Sequence, residues 1–272
     1  MIPPNPIPVP FLLGLVIPDP NADIWNAIAD NLLFLEYQPI WDVSGYGIPL
    51  LYGVEALVRI RHHEGGSVAP ALFLPRVYSE PILRKAVTKR VFQMALDFVA
   101  RCPNVHFRVH LNVWASDFGD PHFIDWARSQ IWQCGLDTRR IVIELVEVGD
   151  ADVGALANSA FALKSQGIGI ALDDFGVGSN NLDRLTLSPD MIKIDKAMTL
   201  DFANPFTYDF AMVVVAIARI FGCRVVYEGI EDIEVLRFLR MLGIEYAQGF
   251  ALSRPVPENE LLASRVLDLP AW

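Results

Sequence analysis

Residues 168–182 read Ile-Gly-Ile-Ala-Leu-Asp-Asp-Phe-Gly-Val-Gly-Ser-Asn-Asn-Leu. The stretch begins as a short apolar run beside glycine, a pattern typical of a buried strand in a parallel sheet. The run ends in two adjacent carboxylates, Asp173 and Asp174, inside a glycine-rich turn. Buried carboxylates are costly unless a cation meets them, and α/β folds bind ligands at the C-terminal ends of their strands. The stretch therefore predicts a metal or phosphate site at residue 173.

Strand-like and helical segments alternate on both sides of this stretch. Parallel strands are predicted at residues 105–112, 140–147, 168–173, 191–194, 223–228 and 244–247. Helices are predicted at residues 23–31, 80–100, 121–133, 152–166, 205–221, 233–242 and 257–266. Residues 34–43 and 48–60 are two further strands, joined by a short glycine-containing turn that predicts an antiparallel pair. Residues 62–75 are predicted to be a loop. Repeated strand–helix units in one chain of 272 residues predict an α/β fold, a (β/α) barrel that departs from regular eightfold symmetry at its opening antiparallel strand.

Composition limits the domain organisation and the classes of partner. Seven prolines in residues 1–20 predict an extended leader, and residues 21–272 contain no further linker, so they are predicted to form a single domain. The formal net charge of −10 argues against an extended nucleic acid as partner. No apolar run approaches the roughly 20 residues of a membrane span, which predicts no membrane insertion by this chain. The three cysteines show no zinc or disulfide spacing, so a reducing, cytoplasmic location is expected.

Acidic and amide residues recur near the C-terminal ends of the predicted strands. Each one alone is a weak signal, but in a barrel these strand ends form one rim, so the side chains are predicted to converge. The residues are Glu55, Asn112, Glu144 with Glu147, Asp173 with Asp174, Lys193 with Asp195, Glu228 with Glu231, and Gln248.

Five of these carboxylates are predicted to face one pocket: Glu55, Glu144, Asp173, Asp174 and Glu228. They cannot all stay ionised without cations, because like charges at short range promote proton uptake. Two divalent ions and Lys193 would supply five positive charges and balance them. Oxygen ligands without His or Cys favour Mg²⁺ or Mn²⁺ over zinc. Two such ions about 3.5–4 Å apart form a clamp suited to in-line attack on a phosphodiester.

The same residues resemble the motifs of the EAL family of cyclic-di-GMP phosphodiesterases, whose fold is a TIM-like (β/α)8 barrel with one antiparallel strand. The resemblance runs from about residue 34 to residue 255. Its motifs in chain order are Gln38-Pro-Ile, Glu55-Ala-Leu, Leu111-Asn-Val, Glu144-Leu-Val-Glu, Asp173-Asp-Phe-Gly, Lys193-Ile-Asp, Glu228-Gly-Ile-Glu, Gln248-Gly-Phe and Ser253-Arg-Pro. This resemblance implies metal-dependent hydrolysis of cyclic di-GMP to linear pGpG.

The resemblance also implies a role for each matching residue. The first metal would be bound by Glu55, Asn112, Glu144 and Asp173, and the second by Asp173, Asp174 and Glu228. Lys193 would polarise the attacking water, Glu228 would be the general base, and Glu55 would be essential for turnover. Glu147 would hold the loop after Asp174, which couples metal binding to homodimer formation. The residues expected near the substrate are Gln38, Leu57, Arg59, Asp195, Glu231, Gln248 and Arg254, with Arg59 as a phosphate partner.

Two departures from the family pattern leave alternatives open. Residues 177–181 read Val-Gly-Ser-Asn-Asn where the family usually has Thr-Gly-Tyr-Ser-Ser, which puts the ordering of that loop in doubt. Tyr227 stands where a small residue is common, a change that could reshape the pocket. The main alternative is a catalytically weak or inactive cyclic-di-GMP receptor, and a more distant one is a barrel enzyme with unrelated metal chemistry. The apolar helix of residues 212–221 is interpreted as core rather than a dimer face, and the histidines, His110 included, are not expected to take part.

Overall fold

The computed structural model describes residues 20–45, 47–62, 66–102, 107–146, 151–176, 182–198 and 205–264. These ranges contain ten strands and nine α-helices. The strands are β1 Leu33–Asp42, β2 Leu50–Arg61, β3 Ser67–Val68, β4 Arg108–Trp114, β5 Ile141–Val146, β6 Gly169–Phe175, β7 Met191–Ile194, β8 Arg224–Tyr227, β9 Tyr246–Ala247 and β10 Val256–Pro257. The helices are α1 Pro20–Ala29, α2 Pro70–Ser79, α3 Pro81–Arg101, α4 Ala115–Phe118, α5 Pro121–Gln133, α6 Val153–Lys164, α7 Pro205–Phe221, α8 Ile233–Met241 and α9 Glu258–Ala263.

Eight of the strands form a closed barrel. Strands β2, β4, β5, β6, β7, β8 and β9 follow one another as parallel neighbours. Strand β1 completes the ring, because it pairs antiparallel with β2 on one side and with β9 on the other. The short strands β3 and β10 add to β2 and β1. The predicted (β/α)8 barrel with one antiparallel strand is confirmed.

The alternation of side chains along each strand produces two apolar layers. The smaller layer fills the barrel interior and consists of Ile40, Val142, Ala171, Met191, Val226 and Tyr246, with Tyr52 packed against it. The larger layer lies between the strands and the surrounding helices. Tyr227 is fully buried in this outer layer, so the expectation that it reshapes the pocket is wrong. Its neighbours Val226 and Glu228 point inward, and alternation turns Tyr227 the other way.

The prediction of a loop at residues 62–75 is wrong, because helix α2 occupies the range from Pro70 onward. The helix begins at Pro70, where a missing backbone N–H does no harm because the first turn of a helix leaves its N–H groups unpaired. Pro75 lies inside the helix, a position that usually ends one. The helix nevertheless forms, because it packs against α3 and its side chains Phe73 and Val77 become buried. Packing therefore outweighs the local cost of the proline.

Helix α7 is only partly a core helix. Val214 and Ala218 of this helix are buried, whereas its residues Met212, Val213 and Ile220 are 43%, 54% and 78% exposed. The interpretation of this segment as plain core is therefore wrong for its outer face. Among the described residues, no helix combines the length and the apolar character that crossing a membrane requires.

Candidate metal and substrate site

Lys193, on β7, lies at the centre of the residues predicted to form the site and is 1% exposed. Four carboxylate oxygens surround its Nζ atom. The distances are 2.6 Å to Glu228 Oε1, 2.8 Å to Glu144 Oε2, 3.1 Å to Glu55 Oε2 and 3.5 Å to Asp173 Oδ1. These carboxylates come from β2, β5, β6 and the residue after β8. The convergence predicted from the strand ends therefore occurs around a single ammonium group.

The register of the sheet explains why these side chains meet. Asn112 on β4 is the neighbour of Glu144 on β5, and Gln38 on β1 is the neighbour of Glu55 on β2. Neighbouring residues in register share a face of the sheet. Each of these positions therefore projects into the barrel at the same end, above the inner apolar layer.

Two amide side chains orient Glu55. Asn112 donates through Nδ2 to Glu55 Oε1 at 2.8 Å, and Gln248 donates through Nε2 to Glu55 Oε2 at 2.9 Å. Glu55 is 7% exposed and Gln248 is 4% exposed. Both oxygens of the carboxylate are thus held, together with the contact from Lys193. Gln248, expected near the substrate, contacts a predicted metal ligand.

An irregularity in β6 brings two consecutive aspartates to the site. Adjacent residues of a regular strand point to opposite faces, but the pairing of β6 with β7 shifts register between Leu172 and Phe175. Asp174 also adopts a positive φ of 50°, which Asp tolerates better than most residues. As a result, ligand oxygens of Asp173, Asp174 and Glu228 lie within 4.8 Å of one another.

The protonation of the cluster follows from burial and mutual charge. Burial raises the pKa of Glu144 and of Glu228 well above the ordinary value, and the neighbouring carboxylates raise both further. Burial, followed by the charge of Asp173, raises the pKa of Asp174 to about 6. Burial acts in the same direction on Glu55, but Lys193 and the two amide donors outweigh it and lower its pKa to about 2.

Lys193 remains charged despite its burial. Burial alone would lower its pKa, but the four surrounding carboxylates raise it well above the ordinary value. One ammonium faces five carboxylates when Asp174 is included, so the ionised site has an excess of four negative charges. Two divalent cations match that excess.

The oxygens of the site fit such cations. Asn112 Oδ1 and Gln248 Oε1 are buried, and neither accepts a hydrogen bond from the described residues. Buried oxygens without donors are costly in a folded protein unless water or an ion satisfies them. Carboxylate and amide oxygens without sulfur are the donor set of Mg²⁺ or Mn²⁺. The residues present therefore fit the predicted ions.

A pocket of about 420 Å³ adjoins the cluster. Leu57 and Arg59, two of the residues expected near a substrate, line it together with Asn112, Asp173 and Asp174. The Nε atom of Arg59 lies 2.8 Å from Glu36 Oε2. A phosphate that reached Arg59 would therefore have to share it with, or take it from, a carboxylate on β1.

The remaining predicted residues occupy different surroundings. Asp195 lies close enough to Asp174 to raise its pKa. Glu231 is exposed, as is Arg254, whose guanidinium lies 4.3 Å from the centre of the Phe250 ring. Gln38 is half-buried opposite Glu55, and Glu147 falls outside the described residues.

Three residues that sequence reasoning missed lie at the site. His110 contacts Glu144 from below, with Nδ1 2.6 Å from Glu144 Oε1, so its dismissal is wrong. Its position two residues before Asn112 on one strand was the available signal, because such residues share a face. Tyr78 and Trp114 form an edge-to-face pair with ring centres 4.1 Å apart, and both line the pocket.

Comparison with known proteins agrees with this geometry. Residues 21–255 match the EAL domain family. The chain belongs to that family. This EAL domain is 32% identical over 233 residues to the cyclic di-GMP phosphodiesterase PA2567 of Pseudomonas aeruginosa, which covers 84% of the chain and 39% of that protein. It is 30% identical over 255 residues to the bifunctional diguanylate cyclase/cyclic di-GMP phosphodiesterase MucR of the same species, covering 89% of the chain and 36% of that protein.

Solved structures show the same fold with ligand bound. The complex of the PaMucR phosphodiesterase with c-di-GMP superposes with a TM-score of 0.81 at 26% identity, over 89% of this chain and 99% of that one. The YkuI protein of Bacillus subtilis, in complex with c-di-GMP and calcium, superposes with a TM-score of 0.72 at 26% identity, over 88% of this chain and 59% of that one. PA2567 and MucR are longer proteins, and this chain spans less than two fifths of the length of each.

Proposed function

We propose that this EAL domain hydrolyses one phosphodiester bond of cyclic di-GMP, giving linear pGpG, with two Mg²⁺ or Mn²⁺ ions as cofactors. The observation that supports this proposal best is the cluster around Lys193. Four carboxylates surround one buried ammonium, Asp174 lies beside Asp173 and Glu228, and two amide side chains hold Glu55, all next to an open pocket. So many buried acidic groups are expensive for a protein that needs only to fold.

The proposed ligands follow the order of the strands. Glu55, Asn112, Glu144 and Asp173 would hold the first ion, and Asp173, Asp174 and Glu228 the second. Bound ions of this kind lower the pKa of a water molecule and neutralise phosphate oxygens.

The chain's own residues would complete the chemistry. Glu228, whose pKa is raised by burial, is suited to accept a proton from the attacking water. Lys193 would keep a positive charge fixed where negative charge develops on the phosphate. Arg59, in the adjoining pocket, would bind a phosphate oxygen. The remaining residues proposed to contact the substrate are Gln38, Leu57, Asp195, Glu231 and Arg254. We also propose that the domain forms a homodimer and that Glu147 holds the loop which couples that dimer to the metal site.

A turnover assay tests the proposal directly. Purified protein is incubated with cyclic di-GMP and Mn²⁺ or Mg²⁺, and pGpG is separated by chromatography; a parallel reaction contains EDTA. We expect product only with metal. Glu228→Gln should reduce turnover by at least about 1,000-fold, because general-base and ligand roles are both lost. Glu234→Gln, an exposed carboxylate on α8, is the matched control and should retain full activity. Tight binding of cyclic di-GMP without product under any metal condition would establish the receptor alternative.

A further inference from the structure

His110 lies deeper in the barrel than the predicted ligands. It precedes Asn112 by two residues on β4, and its side chain, like that of Glu144, is fully buried. The two oxygens of Glu144 have different partners. Oε1 lies 2.6 Å from His110 Nδ1, and Oε2 lies 2.8 Å from Lys193 Nζ. The imidazole therefore holds one oxygen while the other faces the site.

The direction of this hydrogen bond follows from the charge that Glu144 must carry as a metal ligand. A carboxylate that binds a metal must be ionised, and an ionised carboxylate can only accept. The proton therefore resides on Nδ1. Nε2 has no hydrogen-bond partner among the described residues, so the ring is held through Nδ1.

We propose that His110 is a positioning residue for metal binding: its Nδ1–H donates to Oε1 of Glu144, fixes the plane of that carboxylate and presents Oε2 to the first ion. This inference rests on the proposed metal-dependent function, in which Glu144 is a ligand. Removing a hydrogen-bond partner of a metal ligand typically weakens metal binding about 10–100-fold. Comparable losses are expected here.

Substituting His110 by Asn or by Gln distinguishes the effect of the hydrogen bond on metal binding from the effect of packing. The amide nitrogen of Asn occupies nearly the position of imidazole Nδ1, and that of Gln nearly the position of Nε2. His110→Asn should therefore keep the donor to Glu144, whereas His110→Gln should misplace it. His110→Ala is a second variant without a correctly placed donor. Val142→Ala is the packing control, because Val142 is the register neighbour of His110 in β5 and belongs to the inner apolar layer.

Binding of Mn²⁺ alone, without nucleotide, is measured from the electron paramagnetic resonance signal of the free ion. We expect the dissociation constant to rise about tenfold or more for His110→Gln and His110→Ala, and to stay within about threefold of wild type for His110→Asn. Val142→Ala should lower thermal stability and leave Mn²⁺ affinity unchanged.

Each other outcome counts against the proposal. Equal affinities for the folded Asn and Gln variants, or equal weakening by Val142→Ala, would show that only packing matters at this position. Wild-type affinity in His110→Ala would show the same. A wild-type domain that binds no Mn²⁺ would overturn both this inference and the metal-dependent function on which it rests, whereas wild-type binding with indifferent His110 variants would overturn this inference alone.

Discussion

The ammonium of Lys193 and the carboxylate of Glu228 are 2.6 Å apart. Glu228 also belongs to the group of oxygens, with Asp173 and Asp174, that could hold an ion. One carboxylate is thus shared between an internal ion pair and a candidate metal site. Lys193 and a bound cation would therefore neutralise the same negative charge, and the stability of the metal-free domain should depend on Lys193.

Lys193→Met should destabilise the domain in EDTA by about 3–5 kcal/mol, because it leaves buried carboxylates without their counterion. Saturating Mn²⁺ should restore part of the loss. Urea unfolding followed by circular dichroism measures both effects. Lys85→Met is the matched control, because Lys85 pairs with Asp120 at 2.7 Å but is 40% exposed, and it should cost less than about 1 kcal/mol. Equal stability of Lys193→Met and wild type in EDTA would contradict the prediction.

Metal affinity should increase with pH. Burial raises the pKa of Glu144 and Glu228 well above the ordinary value and that of Asp174 to about 6. A carboxyl with a raised pKa keeps its proton in the folded state after the unfolded chain has lost it. The metal-free domain should therefore lose stability as pH rises from about 4 through about 6, and an entering cation must displace protons below that point.

Calorimetric titration with Mn²⁺ at about pH 5, 6 and 7 tests this dependence. We expect the dissociation constant to fall at least about tenfold over the range, since each displaced proton contributes up to tenfold per pH unit. Asp174→Asn should flatten the profile. Glu55, with a pKa of about 2, contributes nothing in this window. An affinity that is constant across the three values would refute the prediction.

Gln248→Met should lower kcat more than it raises KM. The side chain donates to Glu55 at 2.9 Å and is buried, so its loss should disorder a proposed ligand and leave substrate contacts in place. Steady-state assays with cyclic di-GMP should show a fall in kcat of about tenfold with KM within about threefold of wild type. Gln133→Met, at an exposed position at the end of α5, provides the control. A raised KM with unchanged kcat would identify Gln248 as a substrate contact instead.

Gly249→Ala should cost more than about 3 kcal/mol or prevent folding. A β-carbon at Gly249 would overlap the backbone nitrogen and oxygen of Ile230, and these atoms are hydrogen-bonded to Gln248 and Ala251. Gly135→Ala isolates the cost of a positive φ, because Gly135 has a φ of +62° with open space around it; about 1 kcal/mol is expected there. Similar losses for the two variants, measured by urea unfolding, would contradict this account.

The barrel could be predicted because its strands are short apolar runs that end in acidic residues. This pattern can be recognised without knowledge of tertiary contacts. It also predicted the convergence of Glu55, Glu144 and Asp173, because parallel strands bring their C-terminal ends together. Tyr227 and His110 were misjudged for one reason: each was considered beside its neighbour in sequence, whereas alternation decides which residues share a face.

Other features depend on interactions that no local pattern contains. Helix α2 forms around Pro75 because it packs against α3, which buries Phe73 and Val77. The contrast between the lowered pKa of Glu55 and the raised pKa of Glu144 depends on amide donors from β4 and from the residue after β9. These contacts join residues far apart in the chain, and only the folded structure reveals them.

The pairing of Asp42 with Tyr246 and of Trp41 with Ala247, reinforced by the Trp41 Nε1 donor to Ser253 Oγ at 2.9 Å, places the seam of the barrel between its first and last strands. The ribosome must therefore synthesise almost the whole domain before β1 can pair with β9. Such high contact order slows folding, and the nascent chain meanwhile exposes the unpaired edges of β1 and β8, where it is vulnerable to association with other chains and to chaperone capture.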